Sequence, residues 1–137
     1  MIDVYYVPPD RLDEEWNNAA PLIRLSQKRV EHKLSMSDLH EEILKGWHQL
    51  WVVKKDGSTT GAFTTSLIDH PKMQSLRVTY LGGFGIEQWH NQAINAIKVL
   101  ANKLGCKTIE AEGRLGWSKF AKDYGFKELN RVYEMEI

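Results

Sequence analysis

Apolar and polar positions alternate at the start of the chain, with Ile2, Val4 and Tyr6 set against Asp3 and Tyr5, and the run stops at Pro8-Pro9. Proline cannot donate to a sheet ladder, so this pattern predicts a short strand over residues 2–7. Asp10 then stands as a helix cap with Asp13 and Glu14 in the first turn, and Leu12, Trp16, Ala19, Ala20, Ile23 and Val30 supply an apolar face. Pro21 interrupts that run, and its missing N–H and ring clash predict either a bent helix or two short ones over 10–31. Ser35 or Ser37 opens a second helix with Leu39, Ile43 and Leu44 as its buried stripe, ended by Gly46 in the left-handed conformation.

From Gln49 the period shortens to that of strands. Leu50-Trp51-Val52-Val53, the turn signal Asp56-Gly57 and the stretch from Ala62 to Ile68 together predict a hairpin. Asp69-His70-Pro71-Lys72 makes the next turn, after which Leu76, Val78 and Tyr80 alternate with Arg77 and Thr79 as far as Gly82-Gly83. A long helix follows over 86–104, with Ile86, Trp89, Ala93, Ile97, Leu100 and Leu104 at helical spacing and Gly105 at its end. Thr108, Ile109 and Ala111 read as a strand and Leu115 to Tyr124 as a short helix closed by Gly125. Residues 127–137 read as a terminal strand, where Tyr133, Met135 and Ile137 alternate with Glu134 and Glu136. The fold class is α+β: a mixed, mostly antiparallel sheet flanked by helices in the order β-α-α-β-β-β-α-β-α-β.

Composition narrows the function. The chain has 137 residues, 42% of them apolar, with five Trp, which suits one domain with one core and leaves no room for two. Eighteen Lys and Arg balance eighteen Asp and Glu, so no general field draws nucleic acid or anionic lipid, and neither is expected as a partner. No stretch approaches the ~20 apolar residues of a membrane span. The lone Cys106 and the polar start Met1-Ile2-Asp3-Val4 predict a reducing, cytoplasmic setting without disulfides. Cys106, after the helix-ending glycine, suits a small buried residue rather than a nucleophile. The five His are dispersed, and no metal site is expected. His90, beside Trp89, reads as a boundary histidine, while Trp47, His48 and Trp51 form an acceptor wall, core filling or an oligomer contact.

Over 76–137 the succession Leu76-Arg77-Val78-Thr79-Tyr80-Leu81, a Gly-rich turn, a long helix, Gly105-Cys106-Lys107, a strand and Asp123-Tyr124-Gly125-Phe126 resembles the GNAT superfamily of acyl-CoA-dependent N-acyltransferases. The string Gly113-Arg114-Leu115-Gly116-Trp117 is similar to one in small GNAT-like proteins of tailed phages, which suggests a phage-encoded protein. The resemblance implies a single GNAT-like domain over 1–137 whose fourth and fifth strands part to admit the pantetheine of acetyl-CoA or another acyl-CoA. The backbone of a glycine turn would hold the pyrophosphate at a helix N-terminus, where unpaired N–H groups and the helix dipole favour an anion.

The matching cofactor-binding positions are Tyr80, Leu81, Gly82, Gly83, Phe84, Gly85 and Ile86, with Arg114 as a further ligand for an anionic group or, equally, an ion-pair partner of Glu112. The family pattern begins with Gln or Arg and carries Gly three positions on and Gly or Ala five positions on. One register sets Tyr80, Gly83 and Gly85 there, the other Gly82, Gly85 and Glu87, so the leading Gln or Arg is absent in both. No Lys or Arg lies between residues 78 and 97 either. The family's usual proton-donating Tyr falls here on Ala121, with Tyr124 beside it as the candidate acid.

Glu110 and Glu112 are the candidate bases. Two residues apart on a strand, they share a face opposite Ile109 and Ala111, as catalytic groups or as a solvated face paired with Arg114 and Lys107. The function implied is acetyl transfer from acetyl-CoA to a primary amine, on a small molecule or a protein, by direct attack. The alternative, motivated by the missing Gln or Arg, Glu87 and Ala121, is a noncatalytic GNAT-fold protein of a virion or a host interaction. The family's habit of pairing sheet edges suggests a homodimer through 133–137, an edge that Glu134 and Glu136 can also blunt.

Overall fold

The computed structural model describes residues 1–112 and 122–137. Its elements are β1 (Ile2–Val7), α1 (Leu12–Gln27), α2 (Met36–Leu44), β2 (Gln49–Lys55), β3 (Ser58–Asp69), β4 (Gln74–Gly83), α3 (Ile86–Lys103) and β5 (Thr108–Ala111). Arg114, Ala121 and most of the short helix expected over 115–124 lie outside the described residues; of that segment the 3-10 turn Lys122–Tyr124 is seen, followed by Gly125.

The five strands form one sheet in the order β1-β2-β3-β4-β5. The first four are antiparallel neighbours and β5 runs parallel to β4. Local chemistry sets each connection. Asp56 and Gly57 both take positive φ, 52° and 85°, as a tight two-residue hairpin between β2 and β3 requires. The parallel step from β4 to β5 needs a crossover, which α3 provides. Ser35 caps α2, its hydroxyl accepting from Asp38 N at 3.1 Å while its own amide donates to the Asp38 carboxylate at 3.0 Å.

Strand alternation divides the interior in two. On one face Leu50, Val52 and Ala62 meet Leu12, Ala19 and Ile23 of α1 and Leu39 and Ile43 of α2. On the other, Trp51, Val53, Phe63, Leu76 and Val78 meet Trp89, Ala93, Ile97 and Ala101 of α3.

One expectation is narrowed and one is corrected. Of the two alternatives at Pro21, the pair of short helices is not formed: α1 runs as one helix through it. Pro21 is exposed while Ala19 and Ile23 beside it are fully buried, so packing outweighs the ~3 kcal/mol cost of an interior proline. Residues 127–137 form no strand, and Leu129, Val132, Tyr133, Met135 and Ile137 are exposed. Alternation selects a face but does not supply a partner edge, and here the Glu134 carboxylate instead meets His32 and Lys33 after α1.

The pairing between β4 and β5 is short. It joins Ser75 to Val78 with Thr108 to Ala111, and Glu112 N donates to Val78 O at 3.1 Å. Beyond Val78, the Thr79 to Gly83 stretch of β4 has no strand on that side among the described residues. A bulge marks this point: Thr64 opposes Tyr80 and Thr65 opposes Val78, so Thr79 is the extra residue. Its hydroxyl lies 2.5 Å from that of Thr64, while Tyr80 packs on the α1–α2 core. No described helix is long and apolar enough to cross a membrane.

Candidate functional site

Beyond Val78, β4 leads directly into a glycine turn whose members are constrained differently. A Cβ on Gly82 would stand 1.9 Å from the Leu22 carbonyl oxygen, so helix α1 sits against bare backbone there. Gly83 has φ of 138°, and a Cβ on it would stand 2.4 Å from Thr60 O. Phe84 N donates to Thr60 O at 2.8 Å, and the buried Trp89 ties the turn down by donating from Nε1 to Phe84 O at 2.8 Å.

Gly85, the residue before α3, differs from these. Its φ is 66°, and the nearest atom to an added Cβ is Gln88 Oε1 at 3.5 Å. The helix therefore begins in open space, with the amides of Ile86 and Glu87 unpartnered among the described residues. Lys55, from the far end of β2, donates to Gln88 Oε1 at 3.2 Å and so brings a cation to this helix start. Local sequence holds no such charge; only the sheet register delivers it. A backbone cradle, two outward amides and a nearby ammonium fit a pyrophosphate, the group that acyl-CoA would present.

Glu110 and Glu112 do share one face, and Arg77 of β4 occupies it with them. Its Nε and Nη2 donate to Glu110 Oε1 at 3.0 and 2.7 Å, and Nη1 donates to Glu112 Oε1 at 3.0 Å. The second Glu110 oxygen meets His70 Nε2 at 2.6 Å. Burial works to raise the Glu110 pKa, but the bonds from Arg77 and His70 outweigh it and hold the carboxyl below its ordinary value. Both Glu110 oxygens are thus engaged, which suits an ion pair rather than a base. Glu112 is mostly exposed.

Tyr124 lies on the other face, at α3. Its hydroxyl donates to Asn91 Oδ1 and also meets His90 Nδ1. A phenol has one proton, so with Asn91 accepting it, His90 is assigned as the tautomer that donates from Nδ1. The two rings meet edge to face with centroids 5.7 Å apart. Burial, and next Asp123, push the Tyr124 pKa up, keeping the phenol protonated. Beside it is an apolar cavity of about 20 Å³ lined by Leu81, Ile86, Trp89, Ala93 and Tyr124 among others, enough for one small group.

Sequence reasoning missed a pair on the α1–α2 side. His48 Nε2 lies 3.2 Å from Glu42 Oε1, with the imidazole 12% and the carboxylate 26% exposed. Among the described residues His48 Nδ1 is buried without a hydrogen-bond partner, an arrangement that costs roughly 1–3 kcal/mol. The ring centroid lies 6.4 Å from that of Tyr80. Burial lowers the His48 pKa, against a smaller raising effect of Glu42. Burial raises that of Tyr80, assisted by Glu112 and Glu42. No periodicity links 42 with 48, because the helix end and strand start between them obey different periods.

The expected cluster of Trp47, His48 and Trp51 does not form. Trp51 is buried on the α3 face, stacked on Phe63 at 5.6 Å, while Trp47 is exposed beneath Lys45. Cys106 is half-buried, and burial pushes its thiol pKa up, away from nucleophilic use.

By sequence, no family model and no curated protein matches the chain. By structure, the likeness to acetyltransferases is extensive. An aminoglycoside acetyltransferase from an uncultured soil metagenomic sample superposes with a TM-score of 0.77 at 10% identity, over 100% of this chain and 99% of that one. A ribosomal-protein-alanine N-acetyltransferase from Brucella melitensis biovar Abortus 2308 gives 0.74 at 10% identity, again over 100% and 99%. The aminoglycoside acetyltransferase AAC(6')-Iy, in complex with a CoA bisubstrate analogue, gives 0.72 at 17% identity over 100% and 98%. The chain has the fold of the GNAT acetyltransferases.

Proposed function

We propose that the protein is an acyl-CoA-dependent N-acyltransferase, moving an acetyl group from acetyl-CoA to a primary amine by direct attack. The observation that carries this reading is the glycine turn at the end of β4 that opens α3 at Gly85, with the amides of Ile86 and Glu87 unpartnered among the described residues and the Lys55 ammonium brought to the helix start. The acyl-pantetheine arm would lie along β4 beyond Val78, the amides of Ile86 and Glu87 and the Lys55 ammonium would hold the pyrophosphate, and backbone N–H groups near Tyr80 to Gly82 would polarise the carbonyl. Acyl-CoA supplies the activated thioester. Tyr124, protonated and held by His90 and Asn91 beside Leu81 and Ile86, is the donor for the departing thiolate. Acetyltransferase activity on amines in proteins of this fold, and their crystallisation with CoA ligands, support the reading.

The test is thiol release from acetyl-CoA in the presence of a panel of primary amines. Amine-dependent release, reduced in Tyr124→Phe, is expected; release with no amine added, or none with any, would count against acyl transfer. A second reading, a noncatalytic GNAT-fold protein that binds a protein partner, is favoured by the exposed Leu129, Val132, Tyr133, Met135 and Ile137.

A further inference from the structure

The stretch of β4 beyond Val78 has two faces, and the groups proposed for the leaving thiolate all lie on one of them, with α3. A direct transfer also needs a proton acceptor for the attacking amine, and the opposite side, under α1 and α2, carries one arrangement suited to it. We propose that His48, held through Nε2 by Glu42, is the base that takes the amine proton at Nδ1. This rests on the acyltransferase reading above.

Three observations converge on the pair. The carboxylate of Glu42, 3.2 Å from Nε2, fixes the tautomer that keeps its proton on Nε2 and leaves the Nδ1 lone pair bare. That lone pair is buried and has no hydrogen-bond partner among the described residues, at the one ring atom that can accept a proton. The imidazole lies beside the Tyr80 ring, on the stretch of β4 beyond its described pairing with β5 that a thioester would follow. The competing carboxylate, Glu110, has both oxygens engaged by Arg77 and His70.

The titratable groups facing His48 are Glu42 from α2 and Tyr80 from β4; Glu112, whose charge acts on Tyr80, is itself paired with Arg77. Burial keeps the imidazole neutral to lower pH than an ordinary histidine, so it is ready to accept a proton near neutrality. In the step, the amine nitrogen bonds to the acyl carbon, the carbon–sulfur bond breaks with its electron pair on sulfur, and the amine proton passes to His48 Nδ1 and on to solvent. The thiolate takes its proton from Tyr124, which is reprotonated from solvent.

The test is ¹⁵N NMR of the histidine-labelled full chain at pH 7, with 1 mM acetyl-CoA and then 0.1 M n-propylamine as the smallest amine probe, alongside acetyl transfer by His48→Gln. His48 is expected as the neutral Nε2–H tautomer, its Nδ1 resonance moving when propylamine is added, and kcat in the variant is expected to fall about 100-fold with CoA affinity retained. Where His48→Gln does not fold, Glu42→Gln serves: it keeps the imidazole but frees its tautomer, and the pH profile of kcat/KM shifts. An Nδ1 resonance unmoved by amine while CoA is bound, or unchanged kcat in His48→Gln, overturns the assignment and leaves the acyltransferase reading standing. Absence of CoA binding overturns both.

Discussion

Arg77 and Glu110 are joined across the β4–β5 pair by two nitrogens of one guanidinium on a single carboxylate oxygen, at 3.0 and 2.7 Å. This contact holds the short described pairing of β4 with β5, so it is structural in effect. Arg77→Ala should therefore destabilise the fold by about 1–2 kcal/mol in urea denaturation, the loss of charge-assisted bonds discounted for partial exposure. Glu110→Gln should lower stability as well while changing acyl transfer less than about threefold, whereas a base would lose about 100-fold.

The same pair sets an acid limit. The folded-state pKa of Glu110 is depressed, so its contribution is present above the ordinary carboxylate range and lost as pH falls through the lower folded value. Wild type should lose more stability than Glu110→Gln between about pH 5 and pH 3 in thermal melts.

His48 acts with the same sign near neutrality. Its folded-state pKa is lowered below 6.5, so as pH falls past that value the unfolded chain takes up the proton first and stability declines. Melting temperature should fall from pH 7 to pH 5 in wild type, and His48→Gln should show a shallower slope over that window.

The glycines of the turn should separate by role. Gly82→Ala drives a methyl into the Leu22 carbonyl and should cost at least ~2 kcal/mol of stability. Gly85→Ala meets only a flexible Gln88 side chain, and its positive φ should cost about 1–2 kcal/mol. Gly85→Glu should still fold yet bind CoA far less well, because its carboxylate enters the place held for phosphate; calorimetry with CoA separates the two effects.

Much of this fold is written in local pattern. The 3.6 period from Ile86 predicts α3 within one residue at its C-terminal end, Asp56-Gly57 sets the hairpin, and Ser35 caps α2. What escapes is decided at long range. Pro21 looks like a break because its burial context is invisible in the chain, and Tyr133, Met135 and Ile137 look like a strand because alternation says nothing about a partner edge. The site divides likewise. Gly82 to Ile86 and the shared face of Glu110 and Glu112 follow from sequence, but Lys55 reaches the α3 start only through the register of β2. Glu42 meets His48 only because a helix end folds back on a strand start. Arg77 could not be matched to Glu110 from one chain alone, since pairing across a parallel crossover has no local signature.

Lys55 offers a direct check on the anion site. Lys55→Ala should weaken CoA binding severalfold, with a smaller salt dependence than wild type, and leave the melting temperature of the ligand-free protein nearly unchanged, since the side chain is exposed.

The most direct measurement of the central claim is the melting temperature with acetyl-CoA and with free CoA at ~1 mM, because a ligand at 100-fold its Kd adds about 2.7 kcal/mol of stability. The account predicts a rise of several degrees with both ligands, abolished in Gly85→Glu. An unchanged melting temperature up to millimolar ligand would contradict it and turn attention to the exposed apolar side chains of 129–137 as a protein-binding surface.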